Sequence, residues 1–200
     1  MFDAVLRSRI DPALKAAAQR LAKTGVGANA VTAIGCLIGI AAAFAIAHGQ
    51  FFIGLALIFA NRIADGLDGS LARLNGTSEF GGYLDSLADY VFYVAVPIGF
   101  AAASPVNVWP ALILVSSFTL TAVSFLALAA ILARRGVNDQ GHGEKAFIYS
   151  TGLMEGGETI AFFIVMCLLP GYFGILAFIF AGLCIATMCQ RLWLAHRLLL

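Results

Sequence analysis

Residues 65–89 read DGLDGSLARLNGTSEFGGYLDSLAD, with four aspartates, Asp65, Asp68, Asp85 and Asp89, and Arg73 between the two pairs. Nearly unbroken apolar sequence stands on either side. Carboxylates are rare in hydrocarbon and mark function where they occur there, so the solvent around this stretch has to be settled first. Of 200 residues, 61% are hydrophobic and 12% charged, with a mean hydropathy of +0.93. Such a balance excludes an ordinary soluble domain and indicates an integral membrane protein. The net charge of +1 provides no field to recruit nucleic acid. Cys36, Cys167, Cys184 and Cys189 lie in apolar runs without C-x-x-C spacing, and read as small buried hydrophobes rather than disulfides or zinc ligands.

A helix needs about 20 residues to cross a hydrocarbon core. Six segments meet that length, near 30–48, 51–73, 81–104, 108–133, 146–169 and 171–195. The expected fold class is an all-α membrane protein, six transmembrane helices preceded by a cytoplasmic amphipathic interfacial helix. Its two parts are a juxtamembrane segment, 1–27, and a six-helix domain, 28–200. The links His48 to Phe51, Ser104 to Asn107 and Pro170 to Gly171 hold no Lys or Arg. The basic residues cluster on the other side, in the N-terminal segment, at Arg73, at Arg134, Arg135 and Lys145, and at Arg191 and Arg197. The positive-inside rule then places both termini, and the connection between the aspartate pairs, in the cytoplasm.

The first 27 residues are too broken by charge for a cleavable signal peptide. Asp11 followed by Pro12 resembles an N-cap with proline in the first turn, and Gly25 a stop, which predicts a helix over 12–24. Leu14, Ala17, Ala18 and Leu21 share one face, opposite Lys15, Arg20 and Lys23. The segment is expected either to lie in the interface, drawn to anionic lipid, or to cap the bundle.

At 100° per residue, Asp65, Asp68, Gly69 and Ala72 fall in one helical stripe, and Gly81, Asp85 and Asp89 in another. Only seven residues separate Arg73 from Gly81, so the two helices are antiparallel neighbours. Counted inward, Asp68 and Asp85 lie about 6–8 Å deep and Asp65 and Asp89 about 12 Å. Four carboxylates converging there would repel one another without compensating charge. An all-oxygen cluster of this kind suits a hard divalent cation, Mg²⁺ or Mn²⁺, in one or two sites. The competing explanations are helix-end charges reaching for water and salt-bridged packing residues.

The string Asp65-x-x-Asp68-Gly69-x-x-Ala72-Arg73 followed by Gly81-x-x-x-Asp85-x-x-x-Asp89 resembles the signature of the CDP-alcohol phosphatidyltransferase family, integral membrane enzymes of phospholipid synthesis. All eight signature residues are present, although the spacer after the arginine has seven residues where the family usually has eight. The resemblance implies transfer of a phosphatidyl group from CDP-diacylglycerol to a small alcohol acceptor, with release of CMP, at a bacterial inner membrane. It also implies a divalent metal, with two ions held by Asp65, Asp68, Asp85 and Asp89, Asp89 as the base that takes the acceptor's proton, and a homodimer.

By the same resemblance the CDP-lipid meets Asn29, Thr32, Gly69, Ala72, Arg73, Ser78 and Gly81. Each has a plainer explanation: a helix cap for Asn29 and Thr32, close helix packing for Gly69 and Ala72, a topology anchor for Arg73, an N-cap for Ser78. Asn29-Ala30-Val31-Thr32 resembles the family's Pro-Asn-x-x-Thr opening, with Ala28 in place of the proline.

A phosphorylated acceptor needs an extra basic pocket, and no buried Lys or Arg beyond Arg62 is expected in the spans. Glu155 and Glu158, in the glycine-rich stretch 152–159, would instead favour an amine-bearing alcohol such as serine, or pair internally. Arg134, Arg135 and Lys145, in or beside the longest cytosolic loop, are the candidates for a phosphorylated acceptor such as glycerol phosphate or inositol phosphate. A divalent-cation transporter is the rival of another class, but no polar series continues outward from the carboxylates to make a through-path.

Overall fold

The computed structural model describes the backbone of residues 2–135, 154 and 156–199, with side chains from residue 12 onward. Seven α-helices follow in order: α1 (Phe2–Ala22), α2 (Ala28–Ala47), α3 (Phe51–Asn75), α4 (Glu79–Ala103), α5 (Val108–Arg134), α6 (Gly156–Leu168) and α7 (Phe173–Leu199). Single 3₁₀ turns, Pro105–Asn107 and Pro170–Tyr172, lead into α5 and α7. Among the described residues there is no strand.

By length and composition, four of these helices can cross a membrane: α2, α4, and α5 and α7 with their 3₁₀ turns. That is fewer than the six spans read from sequence. The 25 residues of α3 include Arg62, Asp65, Asp68 and Arg73, charges that lower its hydropathy. Only 13 residues of the fifth expected span are described, as α6, and 146–153 and 155 lie outside the described residues.

One expectation fails at the N-terminus. α1 begins at Phe2 and runs through Pro12, so Asp11 is not an N-cap. Proline removes one intrahelical hydrogen bond and strains the preceding turn without obliging a helix to start there, and the residues before it are ordinary helix formers. The stop is as expected, with Gly25 at φ +81°. α1 packs on α3: Ala18 is fully buried, and a Cβ on Gly66 would lie 2.7 Å from Leu14 Cδ1.

Small residues set the tightest seam, that of α2 with α3 and α4. A Cβ on Gly35 would lie 3.1 Å from Ala64 Cβ, and one on Gly39 would lie 2.9 Å from Phe92 Cδ2. Lipid is as apolar as leucine, so helices in it gain by close approach at glycine and alanine. Beyond that seam the core is aromatic. Phe92, Phe100, Phe163, Phe173 and Phe180 are fully buried; Phe100 stacks on Phe173 at 4.5 Å, and Phe118 meets Phe180 edge-on at 5.0 Å. Phe52, Trp109 and Leu37 face outward, as expected where the solvent is lipid. Of the cysteines, Cys167 and Cys184 are buried as expected, whereas Cys36 is only half-buried and Cys189 is exposed.

The hydroxyls along α5, inside the bundle and on its outer face, are satisfied locally. On α5 the hydroxyls of Ser116, Ser117, Thr119, Thr121 and Ser124 each donate to a carbonyl three or four residues back, as apolar surroundings require. No buried side-chain N or O among the described residues lacks a partner.

The seam gives a direct stability prediction. A Cβ on Gly99 of α4 would lie 2.5 Å from the Ala43 carbonyl oxygen of α2, a backbone atom that cannot rotate aside. Gly99→Ala is expected to cost about 1–3 kcal/mol through overpacking, more than the helix-propensity gain of about 1 kcal/mol. Gly82→Ala, where a Cβ meets nothing within 4 Å, should be neutral or slightly stabilising. Thermal unfolding of both variants in detergent tests the pair.

Candidate active site

The connection between α3 and α4 is short because its residues suit a tight reversal. Gly76 takes φ +99°, which a side chain would strain. Ser78 caps α4, its Oγ accepting from the Gly81 amide at 3.0 Å, and Glu79 supplies negative charge to the first turn. The reversal sets the aspartate stripes of α3 and α4 against each other. One oxygen each from Asp65, Asp68 and Asp85 lies within 4.8 Å of the others. Asp68, only 4% exposed, forms the floor, Asp65 is half-buried, and Asp85 opens to the exterior.

The fourth aspartate turns elsewhere. Asp89 Oδ1 accepts from Arg62 Nη2 at 3.0 Å, while Arg62 Nη1 stands 3.7 Å from Asp65 Oδ2. Arg62 therefore lies between Asp89 and Asp65. A role for this arginine was hard to see in sequence, because it lies one turn outside the signature; the one available signal was a cation three residues before a carboxylate in an apolar run.

Other predicted contacts gather at the start of α2. Thr32 is buried, donates to the Ala28 carbonyl at 3.1 Å, and lies beside Asp68. Asn29 does not cap α2, whose N-cap is Gly27 without a side-chain bond. It faces α4 instead: a Cβ on Gly81 would lie 3.1 Å from Asn29 Oδ1 and 2.9 Å from Ser78 Oγ. Thus Asn29, Ser78 and Gly81 form one corner beside the carboxylates. Arg73 folds back over Gly69, Nη1 lying 3.4 Å from where a Cβ would be, and its Nη2 donates to Ser70 Oγ at 3.2 Å. Ala72, half-buried one turn from Asp68, keeps this face of α3 low.

Of the acceptor candidates, Glu158, Arg134 and Arg135 are among the described residues. Glu155 and Lys145 lie outside the described residues, and Glu158 is half-buried in the first turn of α6. Arg134 is exposed at the end of α5. Arg135 donates to the Leu198 and Leu199 carbonyls at 3.4 and 3.3 Å, capping α7. Sequence reasoning missed a cavity of about 340 Å³ between α4, α5, α6 and α7, lined by Tyr90, Tyr93, Thr121, Thr159 and Arg191 among others. Arg191 is half-buried, donates to the Thr121 carbonyl at 3.0 Å and lies over the Phe125 ring at 5.3 Å. The spans do hold a second sequestered arginine. Its position near the C-terminus made it resemble a topology anchor; packing of α7 on α5 is what turns it inward. Tyr93 lines the cavity one helical turn beyond Asp89 on α4, so the cavity adjoins the carboxylates along that helix.

Three carboxylate oxygens at this separation, one on a buried floor and one open to the exterior, fit a hard divalent cation by donor type and by charge. Four anionic side chains beside one guanidinium leave an excess of negative charge that a metal would neutralise.

A family model described as CDP-alcohol phosphatidyltransferase matches residues 26–189. The inner membrane protein YnjF of Escherichia coli is 39% identical over 194 residues, covering 96% of this chain and 94% of that one. Archaetidylinositol phosphate synthase of Pyrococcus horikoshii is 32% identical over 161 residues, covering 76% and 77%. The same fold occurs in the phosphatidylinositol phosphate synthase of Mycobacterium tuberculosis. Its complex with manganese and citrate superposes with a TM-score of 0.74 at 21% identity, covering 91% of this chain and 88% of that one. Its complex with CDP-DAG gives 0.68 at 22%, covering 91% and 92%.

Proposed function

The chain belongs to the CDP-alcohol phosphatidyltransferase family, and on that premise we propose that it transfers the phosphatidyl group of CDP-diacylglycerol to the hydroxyl of a small alcohol, releasing CMP, at a site open to the cytoplasm. The observation that carries the proposal is the convergence of Asp65, Asp68 and Asp85 within 4.8 Å beside the Arg62–Asp89 pair. α3 and α6 complete a six-span bundle, with α1 along the interface. Asp65, Asp68 and Asp85 hold one or two Mg²⁺ or Mn²⁺ ions, with Asp89 at their edge. Bound there, the metal supplies positive charge for the pyrophosphate and for the CMP leaving group.

The chain's own groups do the rest. Asn29, Thr32 and Ser78 offer polar contacts to the nucleotide, and Gly69, Ala72 and Gly81 leave room for it against the helices. Arg73 supplies a guanidinium for phosphate oxygens at the rim. Asp89 takes the acceptor's hydroxyl proton as the new O–P bond forms to the lipid phosphate and the P–O bond to CMP breaks.

The acceptor reaches the centre from the cavity, and Arg191 favours an anionic, phosphorylated alcohol. This departs from the amine alcohol suggested by Glu155 and Glu158, because Glu158 does not line the cavity and Arg191 does. A relative that makes an inositol phosphate lipid is in keeping with it. CMP release and lipid product should be followed for serine, ethanolamine, glycerol phosphate and inositol phosphate. A phosphorylated acceptor is expected to be used, and Arg191→Gln should raise its apparent KM about 10- to 100-fold, the loss of one charge-assisted contact. Use of serine or ethanolamine alone, or an unchanged KM in Arg191→Gln, refutes the anionic acceptor.

A further inference from the structure

The cavity between α4, α5, α6 and α7 holds about 340 Å³, small for a ligand site, and none of the four aspartates lines it. On α4 the boundary is Tyr93, one turn beyond Asp89 and on the same face. A long helical side chain leans back over the turn before it, which for Tyr93 is the turn of Asp89. The Tyr93 ring meets Tyr90 edge-on at 6.1 Å and Phe118 of α5 at 6.5 Å, so aromatic packing fixes where its hydroxyl can go. Facing it is the first residue of α6. A Cβ on Gly156 would lie 3.4 Å from the Tyr93 hydroxyl oxygen. Gly156 takes no positive φ, so the backbone conformation does not call for glycine there. The wall that carries it is tethered: the Met154 amide donates to Thr187 Oγ1 of α7 at 3.1 Å, and Thr187 is fully buried.

Phosphatidyl transfer makes distinct demands on the acceptor oxygen. One lone pair attacks phosphorus and the proton goes to Asp89, which leaves a second lone pair free to accept a hydrogen bond. We propose that Tyr93 is an acceptor-binding residue whose O–H donates to that attacking oxygen, and that the bare Gly156 backbone facing it sets how bulky an acceptor can be at that point. The inference rests on transfer to an alcohol held in this cavity, with Asp89 as proton acceptor. Tyr93 keeps its own proton throughout, while the acceptor's proton passes to Asp89 as the new O–P bond forms and the P–O bond to CMP breaks. With proton and second lone pair both held, the remaining lone pair has one direction, toward phosphorus.

Tyr93→Phe removes the hydroxyl and keeps the ring. It should lower kcat/KM for the acceptor at least about threefold, the loss of one neutral hydrogen bond. The KM for CDP-diacylglycerol and the Mn²⁺ affinity, measured by calorimetry, should change less than about twofold. Gly156→Ala and Gly156→Val fill the facing space in that order. With glycerol phosphate and inositol phosphate supplied together, the ratio of the two lipid products should shift toward the smaller acceptor, at least about threefold in Gly156→Val and less in Gly156→Ala. A product ratio is independent of the fraction of active protein, so partial misfolding cannot imitate the shift. Where wild type uses one acceptor of the panel alone, its KM is measured instead, and should rise at least about threefold in Gly156→Val.

A loss of acceptor kcat/KM in Tyr93→Phe smaller than about threefold, a matching loss toward CDP-diacylglycerol, or an unchanged product ratio or acceptor KM in Gly156→Val each overturns the proposal. Should Gly156→Val not purify as a single species, Gly156→Ala decides by the same measurement, and no shift in it rejects the selecting role. Wild type that forms no CMP with any acceptor of the panel would reject phosphatidyl transfer itself, an outcome distinct from normal acceptor use by Tyr93→Phe in an active enzyme.

Discussion

Asp85→Asn is expected to reduce CMP release at least about 100-fold and to weaken Mn²⁺ binding about tenfold or more, since it removes one of three convergent charged ligands. Asp85 is the best of the three to change, because it is the exposed member and its loss leaves no hole in the core. Electrostatics gives the variant a second signature. Without metal, the three carboxylate oxygens within 4.8 Å repel one another, so neutralising one should leave the unliganded protein as stable as wild type or more so. With Mn²⁺ present the order should reverse, because the wild type gains more from the ion it binds more tightly. Thermal unfolding with and without Mn²⁺ reads this directly. A variant that keeps more than about a tenth of wild-type turnover, or the same metal-induced gain in Tm, would mean that these aspartates do not hold the metal.

Asp89→Asn should be as damaging to turnover and much less so to metal binding. Loss of a positioned general base typically costs about 10²–10⁴-fold. Asp89 lies on Arg62 rather than among the three clustered oxygens, so its removal should change Mn²⁺ affinity less than about threefold. The amide keeps the shape and can still contact Arg62, yet it cannot accept the acceptor's proton. Metal titration beside steady-state kinetics tests the division of labour. Equal losses of affinity in Asp89→Asn and Asp85→Asn would place Asp89 in the ligand set on the same footing as the others.

The aspartates were legible because a 3.6-residue period and a seven-residue turn leave little freedom: two stripes on adjacent antiparallel helices have to meet. Ser78 as an N-cap was legible for a similar reason, the pattern being local. The partition of the four carboxylates was not. It depends on Arg62 reaching across to α4, on Gly39 of α2 admitting Asn61 and Phe92, and on the Gly35 carbonyl accepting from Asn61, contacts between helices that no single-helix periodicity records. Arg191 escaped for the same reason: an arginine near a helix end has the same sequence signature whether it snorkels or turns into a cavity. The true start of α1 was missed because Asp11-Pro12 has the pattern of a helix start, whereas the helix begins at Phe2 and runs through Pro12.

The central claim is that the cluster on α3 and α4 carries out phosphatidyl transfer with metal. Its most direct test is CMP formation from CDP-diacylglycerol by purified wild-type protein, with Mg²⁺ or Mn²⁺ and the acceptor panel, alongside chelator and Asp85→Asn controls. The account predicts CMP in step with a new phosphatidyl lipid, abolished by chelation and by Asp85→Asn. CMP formation that persists equally in both controls, or its absence with every acceptor and both metals, would contradict it.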